Sequence, residues 1–194
     1  MHRRSLILVS LLLALAVPLS ASQFIAMSFD QVAREAKYVV RGQVVDTWSA
    51  WDDSHEVIYT YATLRVSRYF GEMTGPDTLV VREVGGTVDG YTQEAIGFPA
   101  IRRNENVVMF LSEWEGSTDL RIHAFNQGKY LVRERAGIEV LVSDPVKQGE
   151  AAQPERHDRM AIGTEDVGLS MDEFATMVDD ARAGISADVK RIRD

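Results

Sequence analysis

Two apolar stretches, KYVVRGQVVDTWSAW and VIYTYATLRVSRYFGE, stand either side of the five-residue polar link DDSHE, and no other part of the chain restricts the fold as much. Both are rich in β-branched and aromatic residues and both alternate. Ile58, Ala62, Leu64, Val66 and Phe70 fall on one side of the second stretch, and Tyr59, Tyr61, Thr63, Arg65 and Ser67 on the other. In the first, Tyr38, Val40 and Val44 oppose Arg41 and Gln43, with Gly42 expected at a bulge or a point of close packing. Alternation with a period of two places one face on a core and one toward solvent, so residues 37–70 predict a long antiparallel ribbon. Its inward face is expected to be Val40, Val44, Ile58, Leu64 and Val66.

The rest of the chain continues that sheet. TLVVREV follows the turn GEMTGPD with Leu79 and Val81 on one face, and VVMFL reads as a central strand buried on both faces. LRIHAF, KYLVRE and IEVLVS come next, the last two joined by a tight RAG turn. Residues 85–106, with four glycines and a proline, read as a long excursion rather than a sheet segment, and connections of that length are often functional. A capping pattern, Ser28 with Gln31, precedes a short helix over 29–37. A second, Ser170 with Glu173, precedes an amphipathic helix whose stripe is Phe174, Met177, Val178, Ala181 and Ile185. No internal repeat is present.

The first 22 residues have the pattern of a secretory signal peptide. Arg3 and Arg4 precede an apolar run from Leu6 to Val17 broken only by Ser10, and small residues follow at Ser20 and Ser22. That run is shorter than the roughly 20 residues a spanning helix needs, so no stable membrane anchor is expected after cleavage. The expected location is the bacterial periplasm or the medium. Cleavage leaves 172 of the 194 residues, with 19 lysines and arginines against 29 acids, because Arg3 and Arg4 leave with the signal. A net charge near −10 with no basic patch disfavours nucleic acid as a partner. The chain has no cysteine, which excludes a disulfide framework and thiolate metal sites. The expected division is a signal peptide over 1–22, a β-barrel domain over 23–143, a flexible linker over 144–168 and a C-terminal helix and tail over 169–194.

Six or seven short strands around one long ribbon predict a mainly β fold: an OB-like, closed or partly closed antiparallel barrel with a short N-terminal helix and a C-terminal amphipathic helix. The ribbon segment, then VVREVGG, NENVVMFLSE and NQGKYLV in that order, resembles a group of uncharacterised secreted bacterial proteins over about residues 28–134. That resemblance implies an exported β-barrel and brings no established activity. More distantly, the order of ribbon, glycine loop and apolar strand is similar to the netrin-like OB-fold domains of tissue inhibitors of metalloproteinases. Those inhibitors chelate the protease zinc through an N-terminal cysteine, a residue this chain lacks.

Several residues carry competing readings. Trp48, Trp51, Tyr59 and Tyr61 concentrate aromatic surface on the ribbon, either as a binding face for a sugar, a peptide or a protein or as cross-strand packing. Gly85, Gly86, Gly90 and Gly97 fit no phosphate-binding fingerprint and are expected to allow positive backbone angles. Arg102 and Arg103 are either an anion clamp or a solvated pair. Asp52, Asp53, His55 and Glu56 offer oxygen and imidazole ligands in the ribbon turn, or simply make a polar loop. His123 is expected on the outward face of LRIHAF beside Arg121, with no nucleophile in a recognisable setting. The sequence therefore predicts no catalytic residue, no metal and no cofactor. It favours a non-enzymatic exported binding domain for a protein or peptide, using Trp48, Trp51, Tyr59, Tyr61, Gly85, Gly86, Arg102 and Arg103. The alternatives are a small exported hydrolase or metal-dependent enzyme built on Asp52, Asp53, His55 and His123, and a modulator of a secreted peptidase.

Overall fold

The computed structural model describes residues 26–144 and 168–185. The expected signal peptide, nearly all of the expected linker and the residues beyond 185 lie outside the described residues. The described elements in order are α1 (Phe29–Glu35), β1 (Tyr38–Trp51), β2 (Ile58–Tyr69), β3 (Thr78–Val84), β4 (Gly86–Val88), β5 (Tyr91–Gln93), β6 (Asn106–Glu113), β7 (Leu120–Ile122), a 3-10 turn (Phe125–Gly128), β8 (Lys129–Arg135), β9 (Ile138–Ser143), β10 (Leu169–Ser170) and α2 (Met171–Arg182).

The expected ribbon forms, and it starts a barrel. β1 pairs along its length with β2, while its first half, Tyr38 to Gln43, also pairs with β6. The strand order β1-β2-β3-β7-β6 then returns to β1, closing five strands. Four of these contacts are antiparallel, and the β3–β7 contact is parallel through the single pair Val81–Leu120, so the barrel is mixed. Gly42 meets both expectations: the register slips between Arg41 and Gly42, and a Cβ there would lie 2.5 Å from the Arg65 carbonyl oxygen.

Two cores result from one strand pattern. Inside the barrel, Val40, Val44, Leu64, Val81, Met109 and Leu111 are buried, with Val66 partly buried against them. The second core lies on the outside of β1 and β6, where Val39, Val108 and Phe110 are covered by α1 and α2. Phe70, expected to continue the inward face of β2, belongs to this second core because it lies one residue past the end of that strand. Phe174 of α2 is fully buried there, with its ring 5.1 Å from Phe70, 5.7 Å from Phe110, 5.8 Å from Phe29 and 6.1 Å from Tyr130.

The helices follow their caps. Ser28 Oγ accepts from the Gln31 N–H, but the Gln31 side chain turns to Glu35 instead of closing a capping box. The Ser170–Glu173 box is complete. Of the expected stripe, Phe174, Val178 and Ala181 are buried and Met177 is partly buried, while Ile185 lies past the helix end and is exposed. The excursion differs from expectation, because Val88-Asp89-Gly90-Tyr91 turns a short β4–β5 hairpin with positive φ at both central residues. LRIHAF also stops early. β7 ends at Ile122, and Ala124 and Phe125 both take φ of 56° to enter the 3-10 turn.

Phe174→Ala should destabilise the whole domain by about 3–5 kcal/mol, since the aromatic cluster has no other element to refill the space. A urea melt followed by fluorescence should show one transition at a lower midpoint. A midpoint unchanged from the parent would mean that α2 is not part of the folded unit.

Candidate functional site

The ribbon outruns the barrel, and its far half creates the site. Beyond Val44, β1 pairs only with β2, and the facing residues change from apolar to polar. Ala62, Leu64 and Val81 give way to Thr60 and, directly opposite it on β3, Glu83. Glu83 follows Leu79 and Val81 at spacings of two, so the pleat turns its side chain to the same inward face, where it is 3% exposed. Gly85 and Gly86 then carry the chain across the barrel mouth. A Cβ on Gly86 would lie 2.5 Å from Ser49 Oγ and 2.6 Å from Thr60 Oγ1, so only glycine allows β4 to lie this close to the ribbon.

The stretch from Gln93 to Arg102 roofs a cavity of about 540 Å³ at this mouth. Glu83, Thr60, Gly85 and Gly86 form one wall, Phe98 and Ile101 belong to the roof, and Arg102 and Asp144 stand at the side. The roof is pinned at both ends. At one, Gln93 Oε1 accepts from the Ile58 N–H at 2.6 Å and Thr60 Oγ1 donates to the Gly85 carbonyl at 2.7 Å. At the other, Lys129 Nζ, wholly buried, donates to the Ala100 carbonyl, to Glu105 Oε2 at 2.8 Å and to Asp144 Oδ2 at 2.7 Å. Burial pushes the Glu105 carboxyl up. The bond and charge of Lys129, with two bonds from Arg102, outweigh it and hold that carboxyl below its usual range. Between these anchors Ile96 is exposed at 68%, and Phe98 packs edge-on against Phe125 with ring centres 5.0 Å apart.

Among the described residues Glu83 is the one buried acid, and it bridges the barrel's weakest seam. β3 and β7 share a single backbone pair, and two residues further along Glu83 Oε1 accepts the Ile122 N–H. Burial pushes the Glu83 carboxyl up to about 8, against a smaller opposing pull from that N–H and from the Arg121 charge. The side chain is therefore a neutral acid at pH 7.

The eight residues singled out from the sequence do not form one surface. Gly85, Gly86 and Arg102 meet at the cavity. Arg102 is paired with Glu105 at 3.1 Å, and Arg103 donates its Nε to the Val45 carbonyl at 3.0 Å, so the two arginines hold the protein together side by side rather than forming a clamp. Trp48 stacks flat on Tyr61, its cross-strand partner, at 5.3 Å and 8°, and is 43% exposed. Trp51 packs on His55 and on Tyr91 of the β4–β5 hairpin. Tyr59 is covered by the Arg82 guanidinium at 4.6 Å and by Trp114 at 6.0 Å. Trp51 and Tyr59 are thus cross-strand and inter-loop packing.

Of the residues named for the metal-enzyme alternative, Asp52 and His123 are engaged elsewhere. Asp52 Oδ1 accepts from the N–H groups of Glu56 and Val57 and its Oδ2 from the Ser54 hydroxyl; the Ser54 bond first, then the Val57 bond, hold its carboxyl below the usual range. Among the described residues no three His, Asp or Glu side chains gather as a metal group, and so Asp52, Asp53, His55 and His123 do not converge. His123 is not on an outward strand face. It lies beyond the end of β7, 14% exposed, with Nε2 3.7 Å from Glu35 of α1, and burial keeps its pKa below the usual value. Trp114, Glu83 and Lys129 were missed by the sequence reading. For Glu83 the signal was there: an acid in phase with the inward residues of TLVVREV. Comparison with protein-family models, curated proteins and solved structures gave no match.

Two outcomes follow. The folded chain holds a proton on Glu83 that the unfolded chain releases between about pH 4.5 and about 8, so stability falls across that window as pH rises and levels off above it. Glu83→Gln keeps both hydrogen-bonding functions without the titration, and its melting temperature should decline less than the parent's from pH 5 to pH 8; parallel declines would refute the neutral-acid assignment. Lys129→Met leaves Glu105 and Asp144 without their cation and should cost about 3–5 kcal/mol in a denaturant melt at pH 7. A loss that shrinks as the pH is lowered would separate charge from packing.

Proposed function

We propose that this chain is an exported, non-enzymatic binding domain whose ligand is a peptide segment of a partner protein, seated in the cavity at the barrel mouth. The observation that carries the reading is the cavity itself: about 540 Å³, within the range that takes one or two large side chains, with apolar residues on the roof and a few polar groups on the wall. Its roof supports the same reading. Ala95 to Pro99 belong to no strand, so a peptide laid against them meets main-chain donors and acceptors beside the exposed Ile96 side chain. The pinning at Gln93 and Lys129 keeps the site formed before the ligand arrives, which lowers the ordering cost of binding. Export rests on the basic, apolar and small-residue pattern of the first 22 residues.

Panning a displayed library of seven-residue peptides against the purified protein tests this directly. Enriched peptides should carry apolar residues and should lose at least tenfold in affinity against Ala95→Trp, which fills the cavity from the roof. Enrichment no better than a scrambled library, or peptides that bind Ala95→Trp equally well, would overturn the proposal.

A further inference from the structure

We infer that Glu83 is a hydrogen-bond donor inside this cavity, and that the ligand it selects is uncharged and presents a carbonyl oxygen on an apolar body, a backbone carbonyl of a peptide being one such group. The inference rests on the cavity reading above and adds the chemistry of recognition. Glu83 is nine-tenths buried and more, and it lines the cavity. Its Oε1 is committed to the Ile122 N–H, which can only be accepted. In a neutral carboxyl the carbonyl oxygen is the stronger acceptor, which places the hydroxyl at Oε2. Among the described residues Glu83 bonds the protein through Oε1 alone, and it lines the cavity, so Oε2 is the oxygen left for a ligand there. A buried hydroxyl with no acceptor is costly, and a ligand carbonyl supplies one.

The surroundings support the neutral form. Opposite Glu83 on β2 stands the uncharged Thr60; from β7 comes Arg121, whose pull does not overcome burial. The other charged groups lining the space are Glu94, Arg102 and Asp144. Arg102 is paired with Glu105 and Asp144 with Lys129, leaving no cation committed to a ligand carboxylate. Ionised, Glu83 would turn its free oxygen into an acceptor and repel a carbonyl.

The test uses the full chain and two fluorescent probes, the neutral naphthalene ketone prodan and dimethylaminonaphthalene, which shares the ring but lacks the ketone. Prodan should bind the parent about tenfold more weakly at pH 9 than at pH 6, because about a tenth of Glu83 keeps its proton at the higher pH. Glu83→Gln, which retains an acceptor for Ile122 and a donor for the ligand, should bind prodan equally at both pH values. The ketone-free probe should show no such pH dependence in either protein. Prodan affinity that is the same at both pH values in the parent, or that falls equally in Glu83→Gln, overturns the role of Glu83 while leaving the cavity as a binding site. Binding of both probes that persists in Ala95→Trp, or no saturable binding of either, removes the cavity and the inference together.

Discussion

Everything in this molecule is arranged around a strand that has no polar face. β6 runs Val107-Val108-Met109-Phe110-Leu111 without alternation, and all five side chains are shut away from solvent. Its inward residues fill the barrel, and its outward residues would lie open to water without a second layer. The two helices provide that layer: Phe29 and Phe174 each pack on Phe110 at 5.7 Å and on each other at 5.8 Å, and Arg182 at the end of α2 donates to the Ala36 carbonyl behind α1. A segment near the start of the domain and one near its end are thus brought together by the same strand. β6 also bonds β1, β7 and β8, so it sets the barrel and the outer sheet extension at once.

The second constraint is a charge in a dry place. Lys129 begins β8, directly opposite Met109 in the ladder, and its ammonium is fully enclosed. Isolated, such a group would lose its proton or stay outside; here it is held by two carboxylates and a carbonyl from two separate stretches of chain. The consequence is positional rather than energetic. Ala100, Glu105 and Asp144 converge on one atom, so the end of the excursion and the end of β9 are fixed relative to each other and to the barrel mouth.

Much of the frame was legible because it is written in periodicity. The ribbon, the continuous VVMFL strand, the RAG hairpin and both caps each depend on residues near one another in sequence, and each forms. The β4–β5 hairpin was equally local, and its Asp89-Gly90 turn was an available signal. The second core was less accessible. Val39 and Phe70 look like minor members of the ribbon until helices from both ends of the domain cover them, and no local pattern states which strand a distant helix will cover. The parallel closure through Val81 and Leu120 is of the same kind. The site divided similarly: Gly85, Gly86 and Arg102 sit at the cavity, whereas Trp51 and Tyr59 are spoken for by Tyr91, His55, Arg82 and Trp114, partners that lie up to tens of residues away.

Glu83 separates stability from use. A leucine at the same place would continue the inward series Leu79, Val81 and would carry no titration penalty, yet it would leave the Ile122 N–H without its acceptor where β3 and β7 have only one backbone pair. Glutamine would answer that structural need as well as a neutral glutamic acid does, and without a cost that grows as pH rises toward 8. The acid therefore exceeds what the seam requires. What distinguishes it from glutamine is a hydroxyl donor that can be withdrawn by ionisation, placed on the wall of the cavity at the barrel mouth. Residues that cost stability and are matched by no structural need are where sites are found, and on that ground our proposal centres binding on Glu83 rather than on the ribbon aromatics.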